Sequence, residues 1–93
     1  MFLLEETNEL YDQFSGKALE AGRIDKKTKE LIAVCCSVMA DCVPCIQWHY
    51  SQAVEAGATA EEISEVLAIP MAISAGSKRA KYGPVVTELQ NHL

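Results

Sequence analysis

The sequence predicts an all-α fold, and three observations carry that reading. No segment alternates strictly between apolar and polar residues within turn signals, so no strand has a good candidate. Apolar residues recur instead at intervals of three, four and seven. Gly and Pro are few and, apart from Gly16, Pro70 and Gly76, fall where helix boundaries are expected. In chain order, Leu3, Leu10, Phe14 and Ala18, with Tyr11 beside them, give an amphipathic first helix that Gly16 interrupts or Gly22 ends. Asp25 stands as the N-cap of a second helix running from Lys26 to about Ala40. From Leu31 onward that helix is apolar on every face, so it is expected to be buried all round. Residues 41–43 connect it to a third helix, which starts at Pro44 with Val43 near the N-cap and ends near Gly57. Thr59 and Glu62 have the spacing of a capping box for a fourth, carrying Ile63, Val66, Leu67 and Ile73. Pro70 is expected to kink or split that helix and Gly83-Pro84 to stop it, leaving residues 85–92 as a short last helix. The expectation is a single small domain over residues 1–93, with about five helices.

Composition narrows the function classes. The 93 residues are 49% hydrophobic and 23% charged, as a folded globular chain should be, and they carry a formal charge of −5. Only two arginines occur, Arg23 and Arg79, so neither a nucleic-acid surface nor a polybasic membrane anchor is expected. The longest apolar run, residues 31–40, is half the roughly 20 residues a membrane span needs. The first six residues show no basic n-region and reach Glu5 and Glu6 at once, so a cytoplasmic location is expected. In that compartment, four cysteines point to redox chemistry or metal binding rather than structural disulfides. A domain of this size buries only about 60% of its unfolded surface, so an all-round apolar helix is hard to cover within one copy. Twelve alanines, which allow close helix approach but fill little volume, add to the case for a homo-oligomer.

The chemistry is concentrated between Glu30 and His49. Cys42-Val43-Pro44-Cys45 is a CxxC, and His49 follows four residues after the second cysteine. Cys45 falls in the first turn of the third helix, where unpaired N–H groups and the helix dipole favour a thiolate. His49 then lies one turn further along the same face, where an imidazole can take the thiol proton directly or through one water. Cys42, just ahead of the helix, is close enough to close a disulfide with Cys45. The same CxxC could also be half of a zinc site completed by His49 and Cys35 or Cys36. Against that, Cys35 and Cys36 lie within the apolar run and read as small core residues, and a second paired motif is missing. Trp48 and Tyr50 read as packing or interface aromatics. Glu30 leaves two readings open. Burial beside residues 31–34 would raise its pKa and make it a proton carrier, whereas pairing with Lys26 or Lys27 would make it a solvated helix-start charge.

Lys29-Glu30-Leu31-Ile32-Ala33, the CxxC, His49, Ala53, Gly57-Ala58-Thr59 and Glu61-Glu62-Ile63 together resemble the carboxymuconolactone decarboxylase family. The likeness is greater to its alkylhydroperoxidase D-like branch and covers residues 5 to 77. That branch carries a Glu twelve residues before a CxxC and a His four after it, which Glu30, Cys42, Cys45 and His49 match position for position. The resemblance implies an all-α fold assembled as a trimer or hexamer, and a thiol-dependent peroxidase or disulfide reductase in antioxidant defence. By the same resemblance Cys45 is the nucleophile, Cys42 resolves it, and Glu30 and His49 relay protons. The implied partners are a small peroxide and a lipoyl-bearing or thioredoxin-like thiol donor, and no cofactor is expected. Two departures stand out. Alkylhydroperoxidase D itself often has a His where Pro44 stands, and it contains about two copies of the helical core where this chain has one. A decarboxylase-like enzyme and a zinc-binding structural module are the alternatives.

Overall fold

The computed structural model describes residues 4–93, and among them every regular element is an α-helix. Four helices follow in order: α1 (Glu5–Leu19), α2 (Lys26–Met39), α3 (Val43–Glu55) and α4 (Ala60–Asn91). Leu3, assigned above to the apolar face of the first helix, lies outside the described residues. The expected fifth helix does not exist separately, because α4 runs unsplit through both Pro70 and Pro84. Gly83 explains the second passage. A proline disfavours helical geometry in the preceding residue partly by striking its Cβ, and glycine has none. Pro70 is held on the buried side of α4 with Ile63.

The helix ends explain how the chain reverses direction. Gly16 does not break α1, and Gly22 lies beyond its last turn rather than capping it. The exposed carbonyls of Ala18 and Leu19 are taken instead by ammonium groups from α2, Lys29 Nζ at 3.0 Å and Lys26 Nζ at 2.9 Å. Cations at a helix C-terminus satisfy both the orphan acceptors and the dipole. Asp25 caps α2 as expected, its Oδ1 accepting the Thr28 N–H at 2.8 Å. α2 closes in a Schellman motif: Asp41 takes a left-handed φ of 54°, its N–H bonds the Val38 carbonyl, and the Cys42 N–H bonds the Ser37 carbonyl at 3.0 Å. α3 ends the same way around Gly57 (φ 100°), with the Ala58 N–H on the Ala53 carbonyl at 2.9 Å. The Thr59–Glu62 capping box of α4 is complete, both bonds being made.

α2 is the central element and packs against both α3 and α4, while α1 touches α2 more lightly. The core is small. Val34, Ala53, Ala58 and Ile63 form it, with Leu31, Ile46 and Leu67 packed against its edge. The expectation that α2 is buried all round fails in the single chain. Glu30, Ala33, Val34 and Ser37 are buried, but Ile32 is 48% exposed and Met39 and Cys36 are also exposed. Ninety-three residues offer too few neighbouring helices to cover every face.

Candidate active site

The Schellman turn ending α2 delivers Cys42 to the start of α3. Cys42 is the N-cap there, one residue earlier than the position of Pro44 suggested. Its Sγ accepts the Cys45 N–H at 3.2 Å, so a sulfur fills the place that a Ser or Asp oxygen takes in most caps. Cys42 and Cys45 are joined in a disulfide, with Cα atoms 5.2 Å apart. One turn further along α3, His49 Nδ1 lies 2.8 Å from Glu30 Oε2 on α2.

Glu30 is 2% exposed, and its other oxygen accepts from Lys26 Nζ at 2.8 Å. The two readings of this residue therefore merge: it pairs with Lys26, and it is also buried against the histidine. The direction expected for its acidity is reversed. Burial pushes the carboxyl up, but the hydrogen bonds from Lys26 and His49, with the Lys26 charge, outweigh it and hold Glu30 below its ordinary value. An ionised carboxylate can only accept, so Nδ1 of His49 carries the hydrogen. Whenever the ring is neutral, Nε2 is then the acceptor, a tautomer fixed by the glutamate. Lys27 bonds elsewhere, to Glu62 at 2.7 Å.

Cys45 and His49 face one pocket of about 460 Å³, walled mainly by apolar side chains of α2 and the end of α1, among them Leu19, Ile32 and Ala33. Ile24 and Lys29 also line it. Cys42 borders a different, smaller recess with Val38 and Val43. The two cysteines of the motif thus have unlike surroundings, and only Cys45 shares an apolar pocket with the imidazole.

The adjacent cysteines of α2 diverge, and one of them departs from the core role expected of both. Cys35 is half-buried and donates its Sγ–H to the Val66 carbonyl of α4 at 3.1 Å; burial raises its pKa. Cys36 is exposed and lines the pocket of Cys45 and His49. No sequence signal separates the two, because a helix apolar on every face does not declare which side meets its neighbour. Trp48 is 61% exposed and Tyr50 is exposed as well, so neither belongs to the core of its own chain. Among the described residues no three His, Cys, Asp or Glu side chains converge as a metal cluster, and the zinc reading has no geometric support. No helix among them is long and apolar enough to cross a membrane.

Comparison with known proteins bears on the fold and the family. An uncharacterized protein of Cupriavidus necator is 41% identical over 59 residues, covering 63% of this chain and 52% of that protein. A second uncharacterized protein, from the cox locus of Paracoccus denitrificans, is 39% identical over 59 residues, with 63% and 53% covered. The chain spans about half the length of these curated relatives. Among solved structures, a protein from Methanobacterium thermoautotrophicum superposes with a TM-score of 0.82 at 32% identity, over 90% of this chain and 97% of that one. A carboxymuconolactone decarboxylase family protein of Thermotoga maritima, for which a part in an antioxidative response has been suggested, superposes at 0.70. At 24% identity, with 97% and 99% of the chains covered, that likeness speaks to the fold. The sequence matches the family pattern over residues 5–83, and the chain belongs to the carboxymuconolactone decarboxylase family.

Proposed function

We propose that the protein is a thiol-dependent peroxidase or disulfide reductase, with Cys45 as the nucleophile and Cys42 as its resolving partner. The observation that carries the proposal is the joining of three groups at one place. A vicinal CxxC disulfide caps α3, His49 lies one turn along, and buried Glu30 fixes the histidine's tautomer. In the reduced protein, Nε2 of His49 takes the Cys45 proton, and the thiolate attacks one peroxide oxygen. An S–O bond forms, the O–O bond breaks, and the leaving alkoxide takes the proton back from His49. Cys45 is then a sulfenic acid. Cys42 gives up its proton and its thiolate attacks that sulfur; the S–O bond breaks, the departing hydroxide takes up a proton to leave as water, and the disulfide forms. A dithiol on a lipoyl-bearing or thioredoxin-like protein returns two electrons by exchange and departs as its own disulfide. Glu30, being ionised, acts by orienting and stabilising the imidazole rather than by carrying the proton itself. An antioxidant role suggested for the Thermotoga maritima relative is in keeping with this chemistry.

Stopped-flow reduction of an organic hydroperoxide by the reduced protein tests the proposal. Cys45→Ser is expected to abolish the reaction. Cys42→Ser is expected to consume one equivalent of peroxide and stop at a sulfenic acid that dimedone traps. Undiminished peroxide turnover in Cys45→Ser would overturn the assignment. Lactone decarboxylation that survives replacement of both cysteines would establish the decarboxylase alternative instead.

A further inference from the structure

We infer that Cys36 is a third thiol of the redox site, able to resolve oxidised Cys45 in place of Cys42. The inference rests on the thiol chemistry proposed above and adds a second disulfide to it. Cys36 is reduced and exposed, and it lines the same pocket as Cys45 and His49. Cys42, the partner of Cys45 in the present disulfide, contributes nothing to that pocket. Among the described residues, Cys36 is therefore the one other cysteine lining the pocket of Cys45.

The backbone holds this part of α2 against the motif. Ser37, next in sequence to Cys36, gives its carbonyl to the Cys42 N–H at 3.0 Å. Only residues 40–42 separate α2 from α3, so the loop closed by a Cys36–Cys45 bond is short. Cys36 and Cys45 both line this pocket of about 460 Å³, which gives their side chains room to move. Cys35 supplies an internal contrast. It points to α4, where its Sγ–H is already given to Val66, and burial disfavours its thiolate. Of two neighbouring cysteines with the same local sequence, one serves packing and the other faces the chemistry.

The exchange is redox-neutral. His49 accepts the Cys36 proton, and the thiolate attacks Sγ of Cys45. A Cys36–Cys45 bond forms as the Cys42–Cys45 bond breaks, the electron pair leaves on Cys42, and that thiolate takes the proton. The same two oxidising equivalents are thereby held in either of two disulfides. In the second form, Cys42 is a free thiol at the N-terminus of α3.

The test uses the reduced full chain carrying Cys42→Ser and one equivalent of dithiodipyridine. The first thiopyridone reports attack by Cys45. The expected result is a second release at a rate independent of protein concentration, with peptide mapping that finds Cys36 linked to Cys45. Adding Cys36→Ser should slow the second release at least about tenfold, as removal of an intramolecular thiol predicts. Adding Cys35→Ser should leave it unchanged. Cys42→Ala gives the same readout if the serine variant does not fold. A mixed disulfide that persists with Cys36 intact, or a Cys35–Cys45 link, overturns the inference. Because the reagent replaces peroxide, a negative result leaves the peroxidase proposal standing. Conversely, a wild-type protein inert to peroxide leaves this exchange measurable.

Discussion

Glu30 shows at the scale of one residue what spacing can and cannot reveal. Spacing alone left it open between a proton carrier and a solvated helix-start charge, and only the family resemblance set it beside His49; in the structure antiparallel α2 and α3 bring residues 30 and 49 together. The direction of its pKa shift was not legible, since it depends on Lys26 reaching the same buried carboxylate that His49 holds. Two hydrogen-bond donors, one of them the Lys26 ammonium, outweigh one desolvation penalty, and the carboxylate stays charged. The consequence for catalysis is specific. Glu30→Gln keeps the shape but can no longer hold His49 in a single tautomer, so peroxide reduction is expected to fall at least about tenfold while the disulfide still forms. His49→Asn should lose a similar factor, and the double variant less than the two losses combined, because the pair acts as a unit. The consequence for stability follows from linkage. A carboxyl whose folded pKa lies below its unfolded value adds stability that is present above the ordinary value of 4.5 and is lost as pH falls through the folded pKa. In urea titrations the wild type should therefore exceed Glu30→Gln near neutral pH, with the gap narrowing below about pH 4.5. A gap independent of pH would show that the carboxylate's charge is not what stabilises the fold.

At the scale of the element, capping chemistry was the most legible signal, and proline the most misleading. Asp25 and the Thr59–Glu62 pair marked their helix starts correctly, because a side-chain acceptor at fixed spacing has one geometric solution. Gly22 was a poor guide to the end of α1, since lysines from the next helix satisfy the last carbonyls across space. Gly83-Pro84 was read as a stop, although α4 runs through it as it does through Pro70, and at Pro84 the preceding glycine removes the Cβ clash. Gly57 is the glycine with a conformational duty, at φ 100° in the turn that seats Ala58 on the core. An added Cβ there meets no atom within 4 Å, so Gly57→Ala isolates the backbone cost. It should lower unfolding stability by about 1–2 kcal/mol, the cost of left-handed geometry for an L-residue. Gly16→Ala, inside α1 and equally free of contacts, should have the opposite sign and raise stability by up to about 1 kcal/mol. Thermal unfolding of the two variants compares them directly. Equal effects in the two would contradict the turn assigned to Gly57.

At the scale of the whole molecule, the single chain is far from spherical. Its radius of gyration is 18.3 Å, whereas a compact chain of this length reaches about 12 Å. The principal extents of 58 × 38 × 25 Å reflect α4, which spans about 48 Å at 1.5 Å per residue. Past Pro70 that helix buries no residue, yet Tyr82, Val85, Val86 and Leu89 recur along it at helical spacing. Exposed Leu10 and Phe14 on α1, together with Ile32 and Met39 on α2, extend the uncovered apolar surface. So much exposed apolar surface calls for a partner, and a second copy of the same chain is always at hand. We expect light scattering at micromolar concentration to give three or six times the 10.2 kDa chain mass. Val86→Glu and Leu89→Glu together should lower that mass, because two carboxylates would have to be desolvated in the contact. Each substitution lies outside the small core around Val34 and Ile63, so the circular dichroism of α1 to α3 should persist while assembly fails. A wild-type protein that stays at 10.2 kDa would refute the assembly. An unchanged mass in the double variant would move the contact from the end of α4 to α1 and α2.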